Sequence, residues 1–326
     1  MNHAAIDPQA AADPSVVQRL SEGAEAIPLA DWWVSGLVAA GVVALALLAA
    51  AGLLHVLSRL GLRALGEWFC RAPGLDLWIA YFTVLPLLAG PVIMRVRMPE
   101  PAGLWPSVAT GLVAAVAGQI VSVLVWVRVH EALHPAARNG PRLVSQLNRT
   151  VGPLRNHAAV WWTALAVPLF ALIRVAELIV YPPLTWLVRL PRYKASEWVN
   201  VSRHKFEGLV GHDLIWCLYC DWMTGVWSLG SEMLRNVESF WCPIRFRSDK
   251  KCANCAIDFP DLDGGWAPAD GDMRDAVEAL ERHYPGPGGD NPWFGHRARL
   301  TINGGPLGGG PLGGEPGGGQ GSSNTM

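Results

Sequence analysis

The sequence predicts an all-α integral membrane protein, a helical bundle of four or five transmembrane segments with a small cysteine-bearing juxtamembrane region. Hydrophobic residues make up 51% of the chain and charged residues only 16%, against roughly 25% charged residues in typical soluble domains. The apolar residues are concentrated in four long runs rather than spread along the chain. The net charge of −1 indicates no nucleic-acid partner, because such proteins present a basic surface.

Residues 1–31 are predicted to form a polar, mobile N-terminal tail. This stretch holds five acidic residues and one basic residue, Arg19. A signal peptide would instead place a basic stretch directly before a short apolar run. We therefore expect the transmembrane domain to begin at residue 32 and to extend to residue 190.

Three uncharged runs are each long enough to cross about 30 Å of hydrocarbon as a helix. They cover residues 34–54, 77–94 and 102–127, with 21, 18 and 26 residues. Pro86 and Pro91 predict a kink in the second run, because proline removes a backbone donor from the helix.

The fourth apolar segment is less regular. Residues 158–173 are uncharged, Arg174 and Glu177 follow, and residues 178–188 are apolar again. Arg174 and Glu177 are three positions apart, so they share one helical face and are expected to form an intramembrane ion pair. The segment predicts one long span that ends in an interfacial turn, and a re-entrant hairpin is the alternative.

The range 191–283 is predicted to be a Trp- and Cys-rich juxtamembrane region. Within it, residues 209–229 have the pattern of a helix with one narrow polar stripe. That helix would lie in the membrane interface, pack inside the bundle or form a fifth span, and Asp213 and Asp221 favour four spans because carboxylates are costly in lipid. A short helix is expected at 273–283, opened by Asp270 or Asp272, followed by a disordered Gly/Pro-rich tail over 284–326.

Two Cys-x-x-Cys pairs, 31 residues apart, indicate a metal site formed by Cys217, Cys220, Cys252 and Cys255. Four thiolates are the number that a tetrahedral zinc ion or an iron–sulfur cluster requires. Zinc is preferred, since nothing else in the sequence indicates redox chemistry. Cys242 and His212 are reserve ligands. Alternatively, the first pair packs in a helix and the second forms a disulfide or a redox dithiol, while Cys70 is expected to be a buried packing residue.

A second candidate site is the segment His130-Glu131-Ala132-Leu133-His134. It resembles the His-Glu-x-x-His motif of zincin metalloproteases, in which two histidines bind zinc and the glutamate activates a bound water. Residues 260–265 are similar to the Leu-Asp-Gly element of site-2-type intramembrane proteases, which implies Asp263 as the third ligand. The resemblance implies a membrane-embedded zinc metallohydrolase or protease with Glu131 as the general base.

The sequence alone does not orient the chain. With four spans, the lysines and arginines near the apolar ends divide eight against eight between the two sides, so the positive-inside rule gives a tie. The Ala-, Gly-, Pro- and Arg-rich composition is typical of a GC-rich bacterial gene, and we expect a multi-pass protein of the bacterial inner membrane.

The leading functional hypothesis is an accessory or interaction protein of a membrane complex, whose metal site orders the juxtamembrane region. Its expected partners are the lipid bilayer and another membrane protein. The enzymatic alternative is the metallohydrolase described above. A transporter is the third hypothesis, because ionisable groups at membrane depth, here Arg174 and Glu177, often mark a transport pathway.

Overall fold

The computed structural model describes residues 27–98, 102–241, 244–246, 255, 265–284 and 293–294. Within these ranges the chain is helical and contains no strand, only two isolated bridges. The predicted all-α class is confirmed. The helices are α1 (Leu29–Arg59), α2 (Arg63–Phe69), α3 (Gly74–Thr83), α4 (Leu85–Arg97), α5 (Leu104–Leu133), α6 (Pro135–Asn139), α7 (Leu143–Val151), α8 (Pro153–Thr163), α9 (Val167–Ile179), α10 (Tyr181–Leu187), α11 (Ala195–Trp198), α12 (Gly211–Trp241) and α13 (Met273–His283).

Four helical segments are long and apolar enough to cross a membrane. They are Leu29–Arg59, Gly74–Arg97, Leu104–Leu133 and Pro153–Leu187. By length and composition these segments indicate a membrane protein. Helix α12 begins two residues after the start of the predicted element at 209–229 and continues twelve residues beyond its end. It does not meet the same criteria among the described residues.

The chain divides into two compact units. The first covers residues 1–61 and 79–130, and the second covers residues 62–78 and 131–326. In the first unit, α4 and α5 approach each other through glycine. A Cβ atom added to Gly90 would lie 2.2 Å from the carbonyl oxygen of Gly111, so only glycine fits there. Small residues at such a crossing let helix backbones pack closely in a membrane.

Proline leaves unpaired carbonyls in the second apolar segment, and a glutamine satisfies them. Pro86 has no N–H to donate to the carbonyl of Phe82, four residues earlier. The Leu87 N–H donates to Val84 instead of Thr83. The side-chain amide of Gln119 donates to both freed carbonyls, at 2.9 Å to Phe82 and 3.1 Å to Thr83. The break between α3 and α4 is therefore stabilised from α5.

Replacing Gln119 with leucine should lower the stability of the protein by about 1 kcal/mol, the usual size of an interhelical hydrogen bond in a membrane protein. Thermal unfolding in mild detergent measures the change. Thr110→Val is the matched control on the same helix, because the Thr110 hydroxyl bonds only carbonyls of its own helix. Equal shifts for the two variants would contradict this role for Gln119.

The second unit is built around α12, which packs along α9 and contacts α7, α11 and the 3₁₀ turn at Arg203–Lys205. Its apolar core includes Tyr181 and Leu190, which are buried together with Trp293 and Phe294. These two aromatic residues lie inside the range predicted to be a disordered tail. The average composition of 284–326 is that of a disordered chain, but it conceals two large apolar side chains that can be buried.

The predicted helix at 273–283 is confirmed, and Asp272 begins it. The Asp272 carboxylate accepts from the N–H of Arg274, while the Asp275 carboxylate accepts from the N–H of Asp272. This reciprocal capping satisfies donors that the first turn of a helix leaves free. Most of the predicted N-terminal tail lies outside the described residues, as do Cys242, Cys252 and Asp263.

Candidate functional site

A cavity of about 630 Å³ lies between α2 and the segment that carries α11 and the following 3₁₀ turn. Both parts belong to the second unit. Three of its lining side chains are cationic, namely Arg63, Arg71 and Lys205. Cys70 and His204 also line it. The volume falls in the range of small-molecule sites, about 300–1,000 Å³.

Backbone pairing holds the two sides of this cavity together. The N–H of Ala72 donates to the Val199 carbonyl at 2.9 Å, and the N–H of Val201 donates to the Cys70 carbonyl at 2.9 Å. Between these bonds, Arg71 and Asn200 form an antiparallel bridge. The pairing positions the cationic residues of two distant chain segments around one space.

Helix α12 anchors the other end of the segment. The Asp221 carboxylate accepts from the backbone N–H groups of Ser202 and Arg203, both at 3.0 Å. It also pairs with the Arg203 guanidinium at 2.8 Å. Asp221 therefore fixes the turn that presents His204 and Lys205 to the cavity.

Cys70 and His204 form a side-chain pair inside the cavity, with 3.6 Å between Sγ and Nε2. Burial raises the pKa of the Cys70 thiol, although Lys205 and Arg71 act in the opposite direction. Burial also lowers the pKa of His204, with Lys205 adding to the effect and Asp221 opposing it. At neutral pH the pair is a thiol beside a neutral imidazole, whereas a reactive cysteine requires the thiolate.

Acidic residues offset only part of the positive charge of the cavity. Glu67 and Glu197 line it, but Glu197 also pairs with Lys194 at 3.3 Å. The lining therefore carries more positive than negative charge at neutral pH. Sequence analysis missed this site because Cys70 and His204 lie 134 positions apart. The one signal in the sequence is that the segments around Cys70 and His204 both contain basic residues.

The described cysteines do not assemble into the predicted metal site. Cys217 and Cys220 are free thiols on α12, and burial raises the pKa of Cys217. Cys255 is part of a disulfide bond, so its sulfur is not available as a thiolate ligand in this structure. Among the described residues, no group of three or more His, Cys, Asp or Glu side chains could hold a metal ion. The predicted zinc thus gains no support.

The residues of the His-Glu-x-x-His segment have separate surroundings. His130 is buried, and its ring lies 5.6 Å from that of His55 and 5.8 Å from that of Trp126. Helix α5 ends at Leu133, and His134 has a non-helical backbone before Pro135 begins α6. The two histidines therefore do not continue along one helical face, which is the arrangement that the resemblance to zincins implies.

Glu131 belongs to a buried ion network with Arg142 and Asp213. The Arg142 guanidinium donates to Glu131 at 2.9 Å and to Asp213 at 3.0 Å. The Asp213 carboxylate also accepts from the backbone N–H groups of Leu143 and Val144, at 3.1 and 3.0 Å. Asp213, on α12, thereby provides the capping group for α7, whose own N-cap side chain makes no capping bond.

Electrostatics favour the ionised form of Asp213. Burial alone would raise the pKa of Asp213, but the nearby His212 ring and the hydrogen bond and charge of Arg142 hold that pKa below its usual range. His212, a reserve metal ligand in the sequence analysis, lies with Nδ1 3.7 Å from Asp213. His212 is thus a neighbour of the Asp213 carboxylate in this structure.

The structure brings Arg174 and Glu177 together and adds a third charge. Arg174 Nη1 lies 2.6 Å from Glu177. Two further guanidinium nitrogens donate to the two Asp76 carboxylate oxygens, at 3.0 and 2.6 Å. The side chains are 6%, 3% and 15% exposed for Arg174, Glu177 and Asp76. This geometry joins α3 to α9 with a bidentate ion pair.

Comparison with protein-family models, curated proteins and solved structures finds no match for this chain. The function is therefore inferred from the geometry of its own side chains.

Proposed function

We propose that this protein is a non-enzymatic accessory protein of a membrane that binds a phosphate-bearing anion in the cavity around Cys70 and His204. The observation that carries the proposal is the convergence of Arg63, Arg71 and Lys205 on one space. A phosphorylated lipid headgroup and a free phosphate share the required chemistry.

The charges and their setting favour an anion. Guanidinium groups bind phosphate through two parallel hydrogen bonds, and a lysine ammonium adds a point charge. Such bonds are stronger in a partly enclosed space than on an open surface, because less water screens them. The uncharged Cys70 and His204 side chains add polar contacts without adding opposing charge.

The position of the cavity along the chain favours a lipid headgroup. Arg63 follows the end of the apolar helix α1 by four residues, and Arg71 precedes the apolar segment Gly74–Arg97 by three. Residues at such positions lie near the headgroup level if both segments span the membrane. A headgroup phosphate would reach the cavity there without leaving the bilayer.

Binding fits the site better than catalysis does. The Cys70 thiol has a raised pKa, so it is not poised as a nucleophile. For the metallohydrolase hypothesis, the Glu131 oxygen that would act as base accepts from Arg142. For the transporter hypothesis, Arg174 is held by both Asp76 and Glu177 in a buried ion network.

The test is the affinity of purified full-length protein for inorganic phosphate and for nanodiscs containing phosphatidylglycerol. The double variant Arg71→Ala/Lys205→Ala should weaken binding of the correct ligand by about 10- to 100-fold, since hydrogen bonds to charged groups contribute roughly 1.5–3 kcal/mol each. Arg138→Ala/Arg149→Ala removes two exposed arginines outside the cavity and should bind normally.

The two ligand arms identify the source of the phosphate. Stabilisation by inorganic phosphate in lipid-free detergent would identify a soluble anion. Binding only to phosphatidylglycerol nanodiscs, and not to nanodiscs of zwitterionic lipid, would identify a headgroup. Equal binding by the two double variants, with either ligand, would overturn the proposal.

A further inference from the structure

The apolar segment Pro153–Leu187 and helix α12 run side by side in the same direction. Each contact joins residues about 55 positions apart, which is the pattern of two parallel helices in register. The contacts are His157 with His212, Thr163 with Tyr219, Glu177 with Gly230, and Tyr181 with Asn236.

Because the two helices are parallel, the chain that connects the end of the first to the start of the second must run back along their whole length. It does so beside α12. The Tyr193 hydroxyl donates to Glu232 near the end of α12. Further on, the carbonyl of Trp198 lies against Gly225, and the N–H of Ser202 donates to Asp221. This return segment, residues 188–210, contains only α11 and one 3₁₀ turn as regular structure.

The first half of α12 and the return segment beside it contact loops that emerge on one side of the membrane. If α1, Gly74–Arg97 and α5 each cross once, residues 62–73 and 134–152 emerge on the same side. The return segment pairs with the first of these loops through residues 70–72 and 199–201. The start of α12 binds the second, through Asp213 and the N–H groups of Leu143 and Val144.

We propose that Pro153–Leu187 does not cross the bilayer but lies along the membrane interface, with its exposed face in the leaflet on the side of residues 62–73. The protein then has three crossings. Large apolar side chains are exposed along the length of this segment. They include Leu154, Trp162, Leu172 and Trp186, which are 83%, 76%, 66% and 74% exposed.

A fourth crossing conflicts with these contacts. Either residues 188–210 would stay on the far side, about 30 Å from residues 62–73, which their pairing with residues 70–72 excludes. Or the return segment would run back through the membrane as mostly non-helical chain with five basic residues, Arg189, Arg192, Lys194, Arg203 and Lys205. Irregular backbone is not stable in contact with lipid. A re-entrant hairpin also conflicts with the contacts, because their order along α12 shows no reversal between His157 and Tyr181.

Three crossings also orient the chain. The five basic residues of the return segment then lie on the side of residues 62–73. The count of lysines and arginines on the two sides changes from eight against eight to thirteen against three. By the positive-inside rule that side is cytoplasmic and the N-terminus is outside. This inference does not depend on the ligand of the proposed cavity.

The test is epitope insertion into the full-length chain after residues 100, 140 and 208. Antibody access is compared in intact and permeabilised spheroplasts. We expect the tags at 140 and 208 to be reachable only after permeabilisation and the tag at 100 to be reachable in intact spheroplasts. Shared access for the tags at 100 and 208 would overturn the proposal.

A pair of charge substitutions provides a second, independent test. Leu169→Lys lies mid-way along the interfacial segment, where a lysine side chain can extend to the headgroups. Val113→Lys is the matched control on α5, a crossing helix, and both positions are exposed. Val113→Lys should reduce the membrane-inserted protein by about tenfold or more, given the cost of lysine within hydrocarbon, while Leu169→Lys should reduce it less than twofold. Equal losses would contradict an interfacial segment.

Discussion

Replacing Arg174 with alanine is expected to cause the largest loss of stability of any single substitution proposed for this protein. Asp76 and Glu177 would remain buried with no cation, and removing one partner of a buried ion pair costs about 3–5 kcal/mol. Arg155→Ala is the matched control, because Arg155 lies in the same apolar segment and is exposed. Thermal unfolding in mild detergent compares the two, and we expect the control to change stability by less than about 0.5 kcal/mol.

A compensating variant separates charge from packing. The triple substitution Arg174→Met, Asp76→Leu and Glu177→Met removes all three charges, and apolar replacement of a buried ion network is often neutral or stabilising. It should therefore recover most of the stability that Arg174→Ala loses. If Arg174→Ala and Arg155→Ala unfold alike, the three charges are hydrated and do not join α3 to α9.

The second large effect is expected for Asp213→Ala, at about 3 kcal/mol. The substitution leaves Arg142 with one carboxylate instead of two and removes the acceptor for two N–H groups at the start of α7. Loss of a cap alone costs about 1 kcal/mol, and loss of a buried charge partner adds to it. Glu207→Ala, an exposed carboxylate on the preceding segment, is the control.

Two measurements check this prediction. Thermal unfolding gives the loss of stability, and limited proteolysis should show faster cleavage within residues 134–152 in the variant. Normal protection of that segment in Asp213→Ala would contradict a capping role.

The lowered pKa of Asp213 also sets the sign of its pH dependence. A carboxyl group with a depressed pKa in the folded state contributes stability above its unfolded pKa, roughly 3.9, and the contribution is lost as the pH falls through the folded value. The stability difference between the wild type and Asp213→Ala should therefore be constant near neutral pH. It should shrink only below about pH 4.

Local sequence patterns predicted the local elements well. The three long uncharged runs correspond to apolar helical segments, and the helix at 273–283 begins at an aspartate that the sequence already indicated. These features depend on hydropathy or on capping groups within one turn. Hydropathy and capping groups can both be read from residues that are close together in the sequence.

Patterns that depend on orientation or on distant pairing could not be predicted. Hydropathy reports that residues 153–187 prefer an apolar environment, but it does not distinguish crossing the bilayer from lying along it. The helix that carries Cys217 and Cys220 was predicted, but their Cys-x-x-Cys spacing favoured metal ligands over the free thiols that the structure shows. Nothing local to Cys70 indicated His204 as its neighbour.

The pairing of residues 70–72 with 199–201 has a consequence for biogenesis. During translation the first of these segments leaves the ribosome long before its partner exists, because Cys70 and His204, which meet in the cavity, are 134 positions apart. The loop that contains α2 therefore stays solvated and unpaired while the three following apolar segments are synthesised. A nascent chain arrested before residue 199 would lack one side of the cavity, so the cavity is completed only late in synthesis.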